Sequence, residues 1–307
     1  MTAPTFDGAA TVSEGAGPCP ATQMCGRGAP PACADGCPVL GAGSAAVPGT
    51  LHRRLCMEQA LRRALAAPDD FFHLDFQPKV GGDGRPTGLE ALVRWTDPLL
   101  QAVSPAEFVP VAEETGLIPA LGGWVLRAAC RQAGRWRAAG TGSLPVAVNV
   151  SPLQFRDPGF LTAVRQALAA GGIGPGTLEV ELTEGVLVDD EATVATLRHL
   201  RELGVSVAVD DFGTGYASLA YLKRLPLRRL KVDRSFVADL GCDPGSEAIA
   251  AAVIDLGHGL GLEVTAEGVE SVSQQEWLVA RGCDELQGFG IARPMPAGDV
   301  GRWLSGR

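Results

Sequence analysis

Two adjacent aspartates, Asp210 and Asp211, directly follow an apolar run at residues 205–209 and precede a glycine-rich stretch. Because neighbouring carboxylates repel each other, a fold that places both at a strand end needs a positive group to hold them. Carboxylate oxygens are the ligands that Mg²⁺ and Mn²⁺ prefer in proteins. An aspartate-rich turn that caps a helix is the alternative explanation. The pair therefore indicates a cation site if similar acids lie at neighbouring strand ends.

Polar side chains do recur at the ends of other short apolar segments. Because alternate residues of a strand share a face, Glu90 lies on the same face as Arg94, and Lys231 on the same face as Asp233. The strand-end candidates are Glu90, Arg94, Asn149, Glu181, Glu184, Asp210, Asp211, Lys231, Asp233, Glu267 and Gln287. A solvated strand end explains any one of them. Their repetition along the chain indicates a common site at the mouth of an apolar barrel.

Strands and helices alternate along the part of the chain that carries these residues. Leucines at helical spacing predict an amphipathic helix at residues 51–65. Strand-like runs at 71–80 and 88–95 flank a glycine-rich turn that suits a hairpin. Further strands are predicted at 145–150, 178–182, 205–209, 229–232, 263–266 and 285–286, and further helices at 105–115 and 119–139. This alternation is typical of a parallel sheet with crossover helices.

The pattern predicts an α/β fold, a modified (β/α)₈ TIM-like barrel at residues 51–307. Two hairpin strands and six later strands give the number that such a barrel needs. One strand of the hairpin must then run antiparallel. An open doubly wound sheet is the alternative, but it should carry a glycine-rich phosphate loop after its first strand. The glycine cluster at that point is the hairpin turn, so the barrel is favoured.

A separate segment, residues 1–50, precedes the predicted barrel. It is rich in Gly, Pro and Ala and has no apolar periodicity, so it cannot fold alone without a metal or a partner. Its cysteines, Cys19, Cys25, Cys33 and Cys37, differ in spacing from the paired C-x2-C knuckles of common zinc sites. A flexible tail with incidental thiols is favoured over a Zn²⁺ or iron–sulfur site and over a thiol redox sensor.

Charge and hydropathy exclude several functional classes. The formal net charge is −9, which argues against nonspecific binding to nucleic acid or to an anionic membrane. The apolar runs are shorter than the roughly 20 residues that a spanning helix needs, and the N-terminus has no signal-peptide pattern. We therefore expect a cytoplasmic protein without a membrane segment. An anionic substrate would have to be held by metals or by a few placed Arg and Lys.

The strand-end motifs, taken in their order along the chain, resemble those of one protein family. They are Gln77-Pro78, Glu90-Ala91-Leu92 with Arg94-Trp95, Asn149-Val150-Ser151, Glu181-Leu182-Thr183-Glu184, the run 210–219, Lys231-Val232-Asp233, Ala266-Glu267-Gly268-Val269-Glu270 and Gln287-Gly288-Phe289. The series resembles the EAL family of cyclic di-GMP phosphodiesterases from about residue 55 to residue 305. A lone Glu-Ala-Leu is worthless as a signature, whereas the ordered series is highly specific.

The resemblance implies hydrolysis of cyclic di-GMP to linear pGpG with two Mg²⁺ or Mn²⁺ ions. It assigns the ligands of the first metal to Glu90, Asn149, Glu181 and Asp210. It assigns Asp211 and Asp233, together with Asp210, to the second metal.

The resemblance also implies roles for residues around the metals. Lys231 and Glu267 would lie near the attacking water, and Gln287 would order the water and metal shell. Arg94 would grip a phosphate oxygen, and Gln77 would line the nucleotide pocket. Glu184 would brace a loop that begins at Phe212 and ends at Leu219, which is expected to couple the site to a homodimer interface.

The residue types agree with this chemistry independently of the resemblance. Two divalent ions offset the repulsion between a phosphodiester and an anionic nucleophile, make hydroxide near neutral pH and stabilise the leaving oxygen. The protein then supplies acids and amides as ligands and a few cations for the phosphate. No histidine lies in a motif, which counts against His-based metal phosphodiesterases and Ser–His–Asp catalysis.

Three other functions stay open at this stage. The first is a cyclic di-GMP receptor without catalysis, although every metal-ligand position is intact here. The second is another barrel phosphodiesterase, such as one that cleaves glycerophosphodiesters. The third is an interaction protein whose cysteine-rich segment docks a partner. Production of pGpG by the purified protein discriminates hydrolysis from binding alone.

Overall fold

The computed structural model describes residues 49–186, 190–213 and 219–306. The predicted site at Cys19, Cys25, Cys33 and Cys37 lies outside these residues, as does most of the predicted dimer loop, residues 214–218. The described strands are β1 (Phe72–Gly81), β2 (Pro86–Asp97), β3 (Gln101–Val103), β4 (Val146–Val150), β5 (Leu178–Thr183), β6 (Ser206–Phe212), β7 (Arg229–Val232), β8 (Glu263–Ala266), β9 (Glu285–Leu286) and β10 (Met295–Pro296).

Eight of these strands close into a barrel in the order β1-β9-β8-β7-β6-β5-β4-β2, because β1 pairs with both β2 and β9. Every neighbouring pair from β2 to β9 around the barrel is parallel. Strand β1 is antiparallel to both of its barrel neighbours. The short strands β3 and β10 extend the sheet beside β2 and β1. The predicted modified barrel with one antiparallel strand is confirmed, and the open sheet is excluded.

A tight turn sets the register of the β1–β2 hairpin. Gly84 adopts a left-handed backbone with φ of 77°, which glycine accepts without strain, and its N–H donates to the Gly81 carbonyl at 2.9 Å. In the resulting register Gln77 pairs with Glu90. The hairpin therefore brings an amide and a carboxylate side by side in the barrel.

Helices surround the barrel and cover the outer face of its strands. They are α1 (Gly49–Ala66), α2 (Pro68–Phe71), α3 (Pro105–Glu114), α4 (Ile118–Ala138), α5 (Pro152–Phe155), α6 (Phe160–Gly171), α7 (Glu191–Glu202), α8 (Leu219–Leu222), α9 (Arg234–Ala238), α10 (Pro244–Gly259), α11 (Val272–Ala280) and α12 (Ala297–Ser305). The three helices predicted before β4 match α1, α3 and α4. Across the described ranges, none of the helices combines the length and apolarity needed to cross a membrane.

The two faces of each barrel strand differ sharply in polarity. On β5, Leu178, Val180 and Leu182 are buried in the apolar core, whereas the intervening Glu179 and Glu181 are also buried but charged. Because side chains alternate along a strand, the carboxylates face the lumen while the apolar residues face the helices. The expectation of an apolar barrel interior was therefore wrong.

Ion pairs fill the lower part of the lumen, near the amino ends of the parallel strands. Arg229 on β7 contacts Glu285 and lies 3.4 Å from Glu179 and 2.8 Å from Glu263. Burial disfavours its charge, but Glu285, Glu179 and Glu263 outweigh burial and raise the pKa of Arg229. Paired in this way, the buried charges avoid most of the desolvation cost of isolated ions.

Helices α4 and α6 approach so closely that their contact requires glycine. A Cβ placed on Gly134 would overlap the backbone carbonyl of Gly171, and one on Gly171 would overlap the backbone of Cys130. These two helices flank β4, the strand that carries Asn149. The close approach therefore helps to hold one wall of the barrel.

We expect Gly134→Ala to lower the free energy of unfolding by about 1–3 kcal/mol, because backbone atoms cannot move aside for the added methyl. Gly174→Ala is the matched control, since a Cβ there meets nothing within 4 Å. Urea denaturation of both variants gives the comparison. Equal stability of Gly134→Ala and the parent protein would contradict the close packing.

Candidate active site

The carboxyl ends of the parallel strands form the mouth of the barrel, where most of the sequence-predicted site residues meet. A cavity of about 270 Å³ opens there. Its lining includes Gln77, Glu90, Asn149, Asp210, Arg234, Glu267, Glu270, Gln287 and Phe289. A larger cavity of about 720 Å³ is lined by Glu179, Arg229 and Glu285. We place the candidate active site at the mouth, because the polar side chains predicted from the sequence converge there. The larger volume of the other cavity does not change this assignment.

Two amide side chains, those of Asn149 and Gln287, fix Glu90, which is buried on β2. Asn149 Nδ2 donates to Glu90 Oε1 at 2.6 Å, and Gln287 Nε2 donates to Glu90 Oε2 at 2.6 Å. Gln287 Nε2 also donates to Gln77 Oε1 at 3.1 Å, and Gln77 Nε2 donates to the Ala292 carbonyl at 3.0 Å. Burial and the neighbouring Glu181 raise the pKa of Glu90. The carboxyl is thus held in one orientation by Asn149 on β4 and by Gln287, which directly follows β9.

Glu181 on β5 is fully enclosed between two lysines. Lys79 Nζ lies 2.6 Å from Glu181 Oε1, and Lys231 Nζ lies 2.8 Å from Glu181 Oε2. Burial opposes ionisation, yet the two ammonium groups lower the pKa of Glu181 to about 2. Glu181 is therefore a permanent carboxylate.

Lys231 on β7 is the central cation of the mouth. It is 0% exposed, and besides Glu181 it contacts Asp210 at 3.1 Å and also Glu267. Burial favours the neutral amine, but Glu181, Glu267 and Asp210 outweigh burial and raise the pKa of Lys231 well above its ordinary value. A fixed ammonium thus ties together carboxylates from three other strands or strand ends.

The mouth nevertheless keeps an excess of acidic groups. Burial raises the pKa of Glu267 to about 8; Lys231 opposes the increase, while Asp210 and Glu90 add to it. Burial, the charge of Asp210 and a hydrogen bond with Asp233 raise the pKa of Asp211 to about 6. Glu267 and Asp211 therefore keep their protons to a higher pH than carboxyls in water do.

Asp210 and Asp211 lie at an irregularity in the β6–β7 ladder, between Val209 and Phe212. Asp211 has a left-handed backbone with φ of 53°, a conformation that aspartate tolerates better than most residues. Its N–H donates to Asp210 Oδ1 at 3.0 Å. Oxygens of Asp210, Asp211 and Glu267 come within 4.8 Å of one another, so the irregularity brings both aspartates to one site.

The carboxyl of Asp233 contacts both Ser235 and Asp211. The carboxyl caps the short helix α9, where it accepts from the Ser235 N–H at 3.0 Å and from the Ser235 hydroxyl. Burial opposes the change, but these bonds and one with Asp211 lower the pKa of Asp233. The residue therefore adjoins the cluster through Asp211.

Two predicted residues lie at the edge of the cluster. Glu184 Oε2 accepts from the Gly213 N–H at 3.3 Å, at the last described residue before the gap at 214–218. Arg94 Nε donates to Asp75 Oδ2 at 2.8 Å across the β1–β2 hairpin. Arg94 is not among the residues that line the 270 Å³ cavity.

Sequence reasoning gave no site role to Lys79, Arg234, Glu270 or Phe289. The signal that could have identified Lys79 is the strand period, since Lys79 follows Gln77 by two positions on β1 and shares its face. Arg234 directly follows the motif residue Asp233, and Glu270 and Phe289 lie inside two of the motifs without an assigned role. Phe289 is half exposed, and the guanidinium of Arg293 lies 4.4 Å from its ring centroid.

The donor set fits divalent cations. Its ligand atoms are carboxylate and amide oxygens, which suit Mg²⁺ and Mn²⁺. Gln287 Oε1 is buried and accepts no hydrogen bond from any residue that the structure describes, which leaves a lone-pair acceptor beside Glu90. The raised pKa values of Glu90, Asp211 and Glu267 indicate negative charge that bound cations would offset.

Comparison with known proteins relates the chain to one family. The EAL domain family matches residues 58–294. The bifunctional diguanylate cyclase/cyclic di-GMP phosphodiesterase MucR of Pseudomonas aeruginosa is 45% identical over 239 residues, which are 77% of this chain and 35% of MucR. The cyclic di-GMP phosphodiesterase PdeR of Escherichia coli is 40% identical over 250 residues, 81% of this chain and 37% of PdeR. The chain thus spans little more than a third of the length of these relatives.

A solved structure of the PaMucR phosphodiesterase in complex with c-di-GMP is 44% identical, with a TM-score of 0.76. The alignment covers 80% of this chain and 99% of that structure. The likeness therefore extends over a whole solved domain.

Cation binding at the mouth should release protons. Glu267 is protonated below a pKa of about 8 and Asp211 below about 6. A ligating carboxylate must lose its proton, and the positive charge of a bound cation also lowers the pKa of a carboxyl beside it. We therefore expect Mn²⁺ affinity to fall about tenfold per pH unit from pH 7.5 to 6.5, and more steeply below pH 6. Isothermal titration calorimetry at several pH values measures this dependence.

Glu267→Gln provides the matched comparison, because an amide cannot release a proton. Its Mn²⁺ affinity should vary less between pH 7.5 and 6.5 than that of the parent. An affinity of the parent protein that does not change between pH 6 and 7.5 would rule out proton displacement from Glu267.

Proposed function

The chain belongs to the EAL domain family, and from this premise we propose that it hydrolyses cyclic di-GMP to linear pGpG with two Mg²⁺ or Mn²⁺ ions. The observation that carries the proposal is the convergence of oxygen donors at the barrel mouth: Lys231 contacts Glu181, Asp210 and Glu267, Asn149 donates to Glu90, and Asp211 lies beside Asp210 and Glu267. The likeness to a c-di-GMP complex over a whole solved domain supports the substrate. The intact donor set counts against a receptor that has lost catalysis.

The proposed cation ligands fall into two groups. Glu90, Asn149, Glu181 and Asp210 would hold one ion, and Asp211 and Asp233 would hold the second together with Asp210. When bound, the two ions would supply a nucleophilic water near neutral pH and neutralise charge that develops on the phosphodiester.

The remaining residues of the site would orient groups and hold protons. Glu267, with its pKa raised to about 8, is suited to hold or accept a proton near neutral pH. Lys231 keeps Glu267, Glu181 and Asp210 in one place through its ammonium group. Gln287 holds Glu90 and is itself bonded to Gln77, and its Oε1, which has no partner among the described residues, offers an acceptor toward the water and metal shell.

We further propose that Arg94 binds a phosphate oxygen and that Gln77 lines the nucleotide pocket. A homodimer through the loop 212–219 is also part of the proposal, and the hydrogen bond from Gly213 to Glu184 supports a brace at the beginning of that loop. A cytoplasmic location accords with an intracellular second messenger as substrate.

We expect Glu90→Ala and Asp210→Ala each to lower kcat at least about 100-fold, because each removes an oxygen from the cation cluster. Chromatographic detection of pGpG with Mg²⁺ or Mn²⁺ measures hydrolysis, and circular dichroism checks the fold. Glu276→Ala is the matched control, since Glu276 is an exposed carboxylate on α11. Hydrolysis by Glu90→Ala at the parent rate would contradict the assignment.

Arg94→Ala should raise KM for cyclic di-GMP about tenfold or more, because a charged hydrogen bond to phosphate is lost. Mn²⁺ affinity should change by less than the KM, since Arg94 contacts Asp75 rather than the proposed cation ligands. Arg85→Ala, at an exposed hairpin position, controls for loss of a positive charge. A normal KM in Arg94→Ala would remove the phosphate contact from the proposal.

A further inference from the structure

Lys79 is a buried lysine to which neither the motifs nor the proposed chemistry gives a role. It lies on β1, the antiparallel strand, and is only 2% exposed. Its Nζ is 2.6 Å from Glu181 Oε1 and 3.6 Å from Glu179 Oε1. Among the described residues these two carboxylates, both on β5, are its ion-pair partners.

The hairpin register places Lys79 one layer deeper in the lumen than the amide cluster. Lys79 pairs with Gly88, whereas Gln77 pairs with Glu90, and β2 runs from Gly88 toward the mouth. Gly88 has no side chain, and a Cβ built there would lie 3.9 Å from Lys79 Cδ. The glycine thus leaves room for the lysine stem to pass beside β2 and reach β5.

The two lysines hold different oxygens of Glu181. Lys231 binds Oε2 and also contacts Asp210 and Glu267 at the mouth. Lys79 binds Oε1 and also lies near Glu179, the residue below. A carboxylate has about four lone-pair sites, so each oxygen keeps a free lone pair while both are anchored.

We propose that Lys79 is a positioning residue for the cation site, which it serves by anchoring Glu181 from the side of the lumen. The inference rests on the proposed function, in which Glu181 is a cation ligand. Lys79 is too deeply buried to reach a substrate at the mouth, so its effect passes through Glu181. Partners that orient a metal ligand contribute to metal affinity even though they do not touch the metal.

The charge of Lys79 does not cancel the attraction of the site for cations. Lys79 pairs with two carboxylates, Glu179 and Glu181, so the three groups together keep one net negative charge. Without the lysine the two carboxylates would share a buried lumen with less compensation, and Glu181 could rotate toward Lys231 alone. An anchored ligand preserves the geometry that a divalent cation needs.

Lys79→Met tests this role, because methionine retains an unbranched stem and removes the ammonium group. We expect Mn²⁺ affinity to fall about 10–100-fold, as for other residues that orient a metal ligand. Electron paramagnetic resonance of free Mn²⁺ in titrations of the full-length protein, without substrate, measures this affinity. An affinity of folded Lys79→Met equal to that of the parent would overturn the proposal.

Arg229→Met is the matched control for loss of a buried lumen cation. The ion-pair partners of Arg229 among the described residues are Glu179, Glu263 and Glu285, and Glu181 is not one of them. It should lower the melting temperature while leaving Mn²⁺ affinity within about twofold of the parent. An equal fall in affinity in Lys79→Met and Arg229→Met would overturn a specific role for Lys79.

A charge-balanced variant keeps the test decisive if Lys79→Met fails to fold. The double variant Lys79→Met with Glu179→Gln loses one positive and one negative group, and Glu179→Gln alone is its reference. The double variant should bind Mn²⁺ about 10–100-fold more weakly than the reference. Equal affinity in the two proteins would overturn the inference.

Measurements on the parent protein separate this inference from the proposed function. If the parent binds Mn²⁺ and produces pGpG but the Lys79 variants bind Mn²⁺ equally well, only the role of Lys79 fails. If the parent binds no Mn²⁺, both the proposed function and the inference fail.

Discussion

Negative charge gathered at the mouth of the barrel is the constraint on which the rest of the site depends. Glu181, Asp210 and Glu267 contact the ammonium of Lys231, and the charge of Glu90 also acts on it. Lys231 and Lys79 balance part of that charge and lower the pKa of Glu181 to about 2. Burial raises the pKa of Glu267 to about 8, so a proton on Glu267 removes another part near neutral pH, and burial also raises the pKa of Glu90. Because carboxyl groups outnumber ammonium groups at the mouth, the site favours the binding of cations.

The fold can maintain such a site because its apolar and charged residues lie on opposite faces of the same strands. Val180 and Leu182 pack into the apolar core, so Glu179 and Glu181 face the lumen. Below the mouth, Arg229 pairs the lumen carboxylates. Stability thus comes mainly from the outer apolar layer, while the inner layer holds its charges in fixed positions.

Sequence alone predicted the parts of this arrangement that depend on local pattern. The alternation of strands and helices gave the barrel, and strand-end acids such as Asp210 and Glu181 meet at its mouth as expected. The ion pair between Lys79 and Glu181 could not be predicted, because it depends on which strand comes within reach of β1 across the lumen. The ion pairs around Arg229 were missed for the same reason. The alternation of side chains along a strand identifies which residues face the lumen, but their pairing partners are known only once the barrel has closed.

Direct location of bound ions tests the central claim most sharply. Crystals grown with Mn²⁺ should give two anomalous-scattering peaks at the barrel mouth, each within about 2.0–2.4 Å of oxygens from the Glu90, Glu181, Asp210 and Asp211 cluster. Lys231 should then have lost or lengthened at least one of its present ion pairs. Saturating Mn²⁺ with no peak at the mouth, or with peaks only elsewhere on the protein, would contradict the account.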